Sequence, residues 1–343
     1  MKQLKALRLF ACASALAAVM LGSCTSTSQG SSASAQSGKS SVDNWKPYDK
    51  NGDMIRTDRN ATGKIGVVST SKVEASRIGA EILRKGGNAI DAAVAAGFAL
   101  GVVEPNSSGL GGGGFMLIRI AKTGETVFID FRERAPQKSS PEMWTVGTDG
   151  KVVGNQKLEG GKAAAVPGEV AGLLYALENY GTMTREQVIR PAANLAKNGF
   201  YVTPTLSNDM KSQFDKLEKY PESAKVFLNK EGLPYEVDDI FTNPDMAKTL
   251  DIIIKNGKDG FYKGEVAEAI VKTLNKYDGL YTMEDLANYK PLVRQPVKGT
   301  YRGYEIISSP SPSSGGAIVI EILNILENFD VGSLKVNSPE YLH

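Results

Sequence analysis

The sequence predicts a layered α/β fold, and three stretches carry that prediction. Asn88 to Val103 reads as a helix whose Ala92, Ala93, Ala95, Ala96 and Gly97 leave little bulk on any face, so it can pack very close to a sheet. Phe115-Met116-Leu117-Ile118 and Thr126-Val127-Phe128-Ile129 are β-rich runs joined through a Lys122-Thr123-Gly124-Glu125 turn. They read as a hairpin, and both are apolar enough for inner strands of a covered sheet. Between helix and hairpin lies a run of four consecutive glycines, Gly111 to Gly114.

Taken in order, Lys64 to Ser69 reads as a strand, and Ser71 as the N-cap of a helix over Lys72 to Lys85. Ile78, Ile82 and Leu83 share one side of that helix, and Gly86-Gly87 stops it. Asn88 caps the Ala-rich helix that follows. Gly109-x-Gly111-x-x-Gly114 matches a dinucleotide fingerprint only as letters, because that motif follows a strand and opens a helix, and here the order is reversed. The run is therefore read as a place where backbone approaches backbone or ligand without side chains in the way.

Ala163 to Leu173 leads into a helix ending at Tyr180 before Gly181. Thr184 starts another helix through Lys197, with Pro191 expected to bend or interrupt it. Lys211 to Lys219 is a solvated helical face that implies no partner. Two helical patterns span Asn243 to Tyr277 around Gly260-Phe261-Tyr262-Lys263-Gly264-Glu265, and strand character returns over Tyr281 to Arg294 and Thr300 to Ile307. Pro310 to Gly316 breaks the chain before a helix over Ala317 to Leu326. The free N–H groups of the Ser313-Ser314-Gly315-Gly316 turn could bind an anion, though helix capping is the favoured role.

Composition removes several chemistries. With 40 basic and 38 acidic side chains the net charge is +2, which predicts neither a nucleic-acid footprint nor a polyanion partner. The sole histidine is the last residue, His343, and the two cysteines, Cys12 and Cys24, sit near the N-terminus. A Ser-His-Asp triad, a Cys-His pair and a His- or Cys-ligated zinc site all need residues the body of the chain lacks. Carboxylates, lysine, or a Ser or Thr activated by an amine remain.

Met1 to Ser23 has Lys2, Lys5 and Arg8, then an apolar run from Leu9 to Leu21, too short to cross a bilayer and typical of an export signal. Leu21-Gly22-Ser23-Cys24 resembles a bacterial lipoprotein box, which makes Cys24 the expected lipidation site and puts the protein in the periplasm or cell envelope; simple secretion is the alternative. Thr25 to Ser41, almost wholly small and polar, reads as a flexible spacer within a 24–62 tether and lead-in. The globular region is expected over 63–343.

Arg132 leaves the end of the second hairpin strand, where ligand-facing groups are common in layered α/β folds. A guanidinium there could hold a carboxylate through two parallel hydrogen bonds. The pattern by itself favours a structural ion pair with Asp130 or Glu133.

The block Gly109-Leu110-Gly111-Gly112-Gly113-Gly114-Phe115-Met116-Leu117-Ile118, followed by Asp130-Phe131-Arg132-Glu133-Arg134-Ala135-Pro136, resembles the large-subunit signature of the γ-glutamyltransferases. Further matches in family order are Lys85 to Ala95, Ala165-Val166-Pro167-Gly168-Glu169-Val170-Ala171-Gly172-Leu173 against A-V-P-G-x-V-A-G-L, Gly260 to Glu265, Pro312 to Gly316, and Asn337 to His343. The resemblance implies the αββα sandwich of N-terminal-nucleophile hydrolases, incomplete in this stretch. It implies γ-glutamyl transfer from glutathione and other γ-glutamyl compounds to water, amino acids or peptides, with no cofactor and no metal. It also implies Arg132, not Arg134, as the ligand of the substrate α-carboxylate.

The implied nucleophile is a threonine freed by self-cleavage of a precursor, expected beyond His343, so no catalytic residue is placed in this chain and the fragment alone is expected to be inactive. Its implied partner is its own small subunit. Ser338, Pro339 and Glu340 begin a helix of about one turn, which has no independent stability, so the chain reads as cut short. Two other readings stand beside this one. One is a tethered amino-acid-binding lipoprotein or pseudoenzyme that uses Arg132 for grip alone; the other is a cephalosporin or glutaryl acylase of the same superfamily.

Overall fold

The computed structural model describes residues 48–54 and 60–343. The expected signal, Cys24 and the Ser-rich spacer lie outside the described residues. No helix among the described residues is long and apolar enough to cross a membrane.

Helix α1 (Val73–Arg84) packs on α2 (Ala89–Val103), and small residues make the approach close. The start of α2 is fixed by a reciprocal cap: Asn88 Oδ1 accepts from the Ile90 and Asp91 amides, and Asp91 Oδ2 accepts from the Asn88 amide. Asp91 is fully buried, and its Oδ1 also accepts from the Thr182 and Met183 amides. One carboxylate thus ties α2 to the turn between α3 (Glu169–Tyr180) and α4 (Arg185–Asn198). Helix α4 runs unbroken through Pro191, contrary to the expected interruption.

Strand β1 (Phe115–Arg119) pairs antiparallel with β2 (Thr126–Asp130) in the register Phe115 to Asp130 through Arg119 to Thr126. A two-residue pairing, β3 (Phe200–Tyr201) with β4 (Ile240–Phe241), brackets α5 (Pro204–Ser212), α6 (Phe214–Lys219) and α7 (Pro221–Phe227). Then follow α8 (Pro244–Asn256), which packs along α4, the short α9 (Lys258–Tyr262), α10 (Gly264–Lys276) and α11 (Met283–Ala287). Strand β5 (Leu292–Arg294) joins the other edge of β2, giving the order β1-β2-β5. The hairpin β6 (Val297–Tyr301) and β7 (Tyr304–Ser308) carries α12 (Gly315–Leu326), and α13 (Pro339–Leu342) is capped by Ser338 as its sequence predicts. Phe98, Ile129, Leu174, Ile189, Leu250 and Tyr262 anchor one continuous core between helices and sheet.

Several expectations are corrected. Lys64 to Ser69 is unpaired: Ile65 is fully exposed, and no strand lies alongside among the described residues to accept the backbone bonds a strand needs. Ser71 does not cap α1; its hydroxyl donates to Glu104 Oε2 at 2.6 Å, and Lys72 occupies the cap position without a side-chain bond. Tyr281 to Arg294 is not continuous strand, because Thr282 and Asp285 form a capping box that starts α11. Among the described residues only β2 is an inner strand; β1 and β5 are outer, with Leu117, Leu292 and Val293 exposed. The fold class itself stands: the described residues give helices on short antiparallel sheets, a mixed helix and sheet arrangement.

Candidate functional site

The glycine run brings backbone onto backbone. Gly114 and Phe131 extend the hairpin by a further rung, the Phe131 amide donating to Gly114 O at 3.0 Å. A Cβ on Gly113 would strike the Phe131 carbonyl oxygen and press on the Arg132 backbone, so only glycine allows this approach. On the other side Gly112 O accepts from the Gly168 and Glu169 amides at 2.8 and 2.9 Å. These first amides of α3 are therefore spent on protein. Gly168 too sits against the Phe131 carbonyl and the Tyr289 hydroxyl, with no room for a Cβ. Three segments, 112–114, 131–132 and 168–169, are locked together beneath the Arg132 side chain.

Arg132 itself is exposed and uncommitted. Its amide donates to Asp130 Oδ1 at 3.1 Å and its carbonyl accepts from the Tyr289 hydroxyl at 2.7 Å, while its guanidinium carbon lies 6.0 Å from the Phe115 ring centre. No carboxylate pairs with that guanidinium among the described residues. The ion pair that pattern favoured is made by another arginine, Arg294, whose Nε donates to Asp130 Oδ2 at 2.8 Å. Arg134 is engaged as well: it donates to Lys290 O at 2.9 Å and lies 5.2 Å over the Tyr289 ring.

Two glutamates approach the same glycines. A Cβ on Gly112 would lie 3.6 Å from Glu133 Oε1, and one on Gly114 would lie 3.7 Å from Glu169 Oε2. Burial pushes the Glu169 carboxyl up to about 7, and the neighbouring Glu133 charge adds to the effect. Tyr262, stacked on Tyr289 at 5.7 Å, accepts from the Ala171 amide and donates to Pro167 O at 2.9 Å, which fixes the entry to α3. Burial raises both phenols and keeps them protonated. Sequence reasoning passed over Glu169, Tyr262 and Tyr289; Tyr262 lay inside a quoted string, and Glu169 at an open motif position.

The Ser313 to Gly316 turn lies elsewhere, at the start of α12. Ser314 makes no side-chain cap, and Ser313 Oγ accepts from the Gly315 amide at 3.3 Å. Among the described residues no group of three or more His, Cys, Asp or Glu side chains could hold a metal ion.

The family model for gamma-glutamyltranspeptidase matches residues 75–343, most of the chain and all of this site. The chain belongs to the γ-glutamyltranspeptidase family. Within that family it is 44% identical over 277 residues to the glutathione hydrolase proenzyme of Escherichia coli (strain K12), covering 81% of this chain and 47% of that protein. It is 40% identical to the acylase ACY 1 proenzyme of Pseudomonas sp. (strain SE83), covering 87% of this chain and 54% of that one. The chain thus spans about half the length of the curated relatives it matches. The crystal structure of Helicobacter pylori γ-glutamyltranspeptidase superposes with a TM-score of 0.80 at 45% identity, covering 83% of this chain and 81% of that one. The described residues, a mixed helix and sheet arrangement, share the fold of this γ-glutamyltranspeptidase, in keeping with the α/β class that the sequence predicts.

Proposed function

We propose that this chain is the large-subunit part of a γ-glutamyltransferase that uses glutathione and other γ-glutamyl compounds, with Arg132 gripping the substrate α-carboxylate. One observation carries the reading: of the arginines beside the Gly112–Gly114 segment, Arg132 alone presents a guanidinium with no acceptor among the described residues, whereas Arg134 and Arg294 are occupied. A planar donor fork of that kind suits two parallel bonds to a carboxylate.

In the complete protein the reaction follows self-cleavage before a threonine that lies outside this chain. The threonine Oγ attacks the γ-carbonyl carbon while its own α-amine takes the hydroxyl proton. The amide C–N bond breaks, the leaving amine of cysteinylglycine receives that proton, and a γ-glutamyl ester remains on the threonine. Water or an acceptor amine then attacks the ester, releasing glutamate or a new γ-glutamyl amide and restoring the hydroxyl. The proenzyme names of the relatives support such processing and a cleaved two-subunit enzyme.

We further propose export through Met1 to Ser23, and anchoring in a bacterial envelope through lipidated Cys24. Metabolic labelling with a radioactive fatty acid tests the anchor; label retained after Cys24→Ala removes it.

The deciding experiment uses the complete, processed protein. Arg132→Ala should cut kcat/KM for γ-glutamyl donors by roughly 100-fold, mainly through KM, as expected for a lost charge-assisted bidentate contact. An unchanged KM removes Arg132 from the site. Likeness to the acylase ACY 1 proenzyme keeps a second reading open, and a preference for glutaryl over γ-glutamyl donors would move the protein to it.

A further inference from the structure

Arg294 is a second guanidinium on the Arg132 face of the sheet, and the ion pair that holds it engages Nε alone. Residues directly opposite one another in an antiparallel pair project from the same face, and successive residues alternate. The register therefore sorts this end of the sheet into two sides. Ile118, Val127 and Ile129 turn to the helices and are buried, and Phe131, on the same side, lies against Gly172 of α3. Phe115, Phe128 and Asp130 turn the other way, and so does Arg294, which stands opposite Phe128. The contacts agree with the register. The Phe115 and Phe128 rings are 5.3 Å apart, Arg294 Nε is 2.8 Å from Asp130 Oδ2, and the Arg132 guanidinium carbon is 6.0 Å from the Phe115 ring centre.

Asp130 holds both arginines. Its Oδ1 accepts from the Arg132 amide and its Oδ2 from Arg294 Nε, so one buried carboxylate stands beside two cations and compensates one of them. Both terminal nitrogens of Arg294 are left without an acceptor among the described residues, and its side chain is 37% exposed. A guanidinium is a rigid fork of donors, so the engaged Nε fixes where the spare edge points. The Arg132 head lies by Phe115 of β1, and Arg294 belongs to β5, two strand spacings away or roughly 10 Å. A peptide donor of three residues spans roughly 10 Å between its end carboxylates.

We propose that Arg294 is a specificity-determining residue: with Arg132 on the α-carboxylate, the terminal nitrogens of Arg294 take the second, C-terminal carboxylate of a peptide donor such as glutathione. The inference rests on Arg132 being the α-carboxylate ligand. It makes the enzyme favour γ-glutamyl peptides that end in a free carboxylate over those that end in an amide. The contact is remote from the γ-carbonyl carbon and equal in ground and transition states, so the preference lies in KM and not in kcat.

The test measures KM and kcat for glutathione and for its C-terminal carboxamide, by the glutamate released, with the complete, processed enzyme and its Arg294→Gln and Arg294→Lys variants. Wild-type KM should be about tenfold lower for glutathione, the scale of one charge-assisted contact at a partly exposed site. Arg294→Gln should bring that ratio close to one. Arg294→Lys keeps a charge beside Asp130 without the fork, so it should fold if Gln does not, and it should keep less than about threefold of the preference. A wild type with equal KM for the two donors, or an active variant of either kind that keeps the tenfold ratio, overturns the proposal. A KM raised alike for both donors in Arg294→Gln, with the ratio intact, assigns the residue to the fold through Asp130 and overturns it too. Arg132→Ala separates the two claims, because it should raise KM for both donors. A normal KM there sinks the α-carboxylate reading itself, while a raised KM with an unaltered ratio in the Arg294 variants sinks only the role of Arg294.

Discussion

The Tyr289 hydroxyl donates to the Arg132 carbonyl oxygen at 2.7 Å across 157 positions of sequence, and the Arg134 guanidinium lies 5.2 Å over the same ring. One buried phenol thus fixes the backbone of the uncommitted arginine and occupies the committed one. Tyr289→Phe removes only the hydroxyl. It should cost about 1 kcal/mol, a drop of roughly 2–3 °C in Tm for a protein of this size. It should also raise the donor KM about threefold with kcat nearly constant, the loss expected from an arginine held less firmly. A variant with lowered Tm and unaltered KM would show that the bond serves the fold and not the site.

Asp91 offers a cleaner stability test. Burial alone would raise its carboxyl, but bonds from Thr182 Oγ1 and the Asn88, Met183 and Thr182 amides outweigh burial and hold it below the usual carboxylate range. A folded-state value depressed below the unfolded one contributes stability present above the unfolded value of about 4, and loses it as pH falls through the folded value. Asp91→Asn should therefore destabilise the complete protein by about 2–3 kcal/mol at pH 7, and the gap to wild type should close in acid below about pH 4. Urea melts at pH 7 and pH 3.5 check it; a gap that does not narrow in acid would contradict the assigned ionisation.

How much of this was legible depended on range. Helix starts written in adjacent residues were readable: Asn88, Thr184 and Ser338 all cap as expected, and the structure adds Asp91 and Gln187 as reciprocal partners of the first two. The same logic was available at Thr282 and Asp285, but the apolar and aromatic flanks there drew a strand reading. Lys64 to Ser69 has the composition of a strand, but a strand exists only with a partner, which composition does not contain. At the site, Arg132 came through its motif. What separates it from Arg134, and what sets Tyr289 against its backbone and Glu169 against Gly114, are contacts between segments far apart in the chain.

Helix α12 bears on the state of this chain when produced by itself. Ile318, Val319, Ile322 and Ile325 are each about half exposed, and Phe329 just beyond is 59% exposed. Together with the outer strands β1 and β5 they form apolar surface of the kind that associates. Residues 48–343 expressed alone should elute as oligomers or aggregate. Light scattering coupled to gel filtration decides it, and a monomer with a sharp cooperative melt would count against the expectation. Paired substitutions Ile322→Lys and Ile325→Glu should restore solubility if that face is the cause.

Glu74, in the first turn of α1, is 3% exposed, and burial raises its carboxyl despite the opposing bond from its own amide and the charges of Lys72 and Arg77. A folded-state value above the unfolded one means the folded protein binds the proton more tightly. The stability from this group is then fully present below the unfolded value and is lost as pH rises through the folded one. At neutral pH and above, the ionised carboxylate is a liability that a neutral isostere lacks. Glu74→Gln should therefore raise Tm at pH 8, and the advantage should shrink steadily as the melt is repeated down to pH 4. A Tm gain that is equal at both ends of that range would mean Gln helps by packing, and equal or lower Tm at pH 8 would mean Glu74 is stabilised by its helix terminus after all.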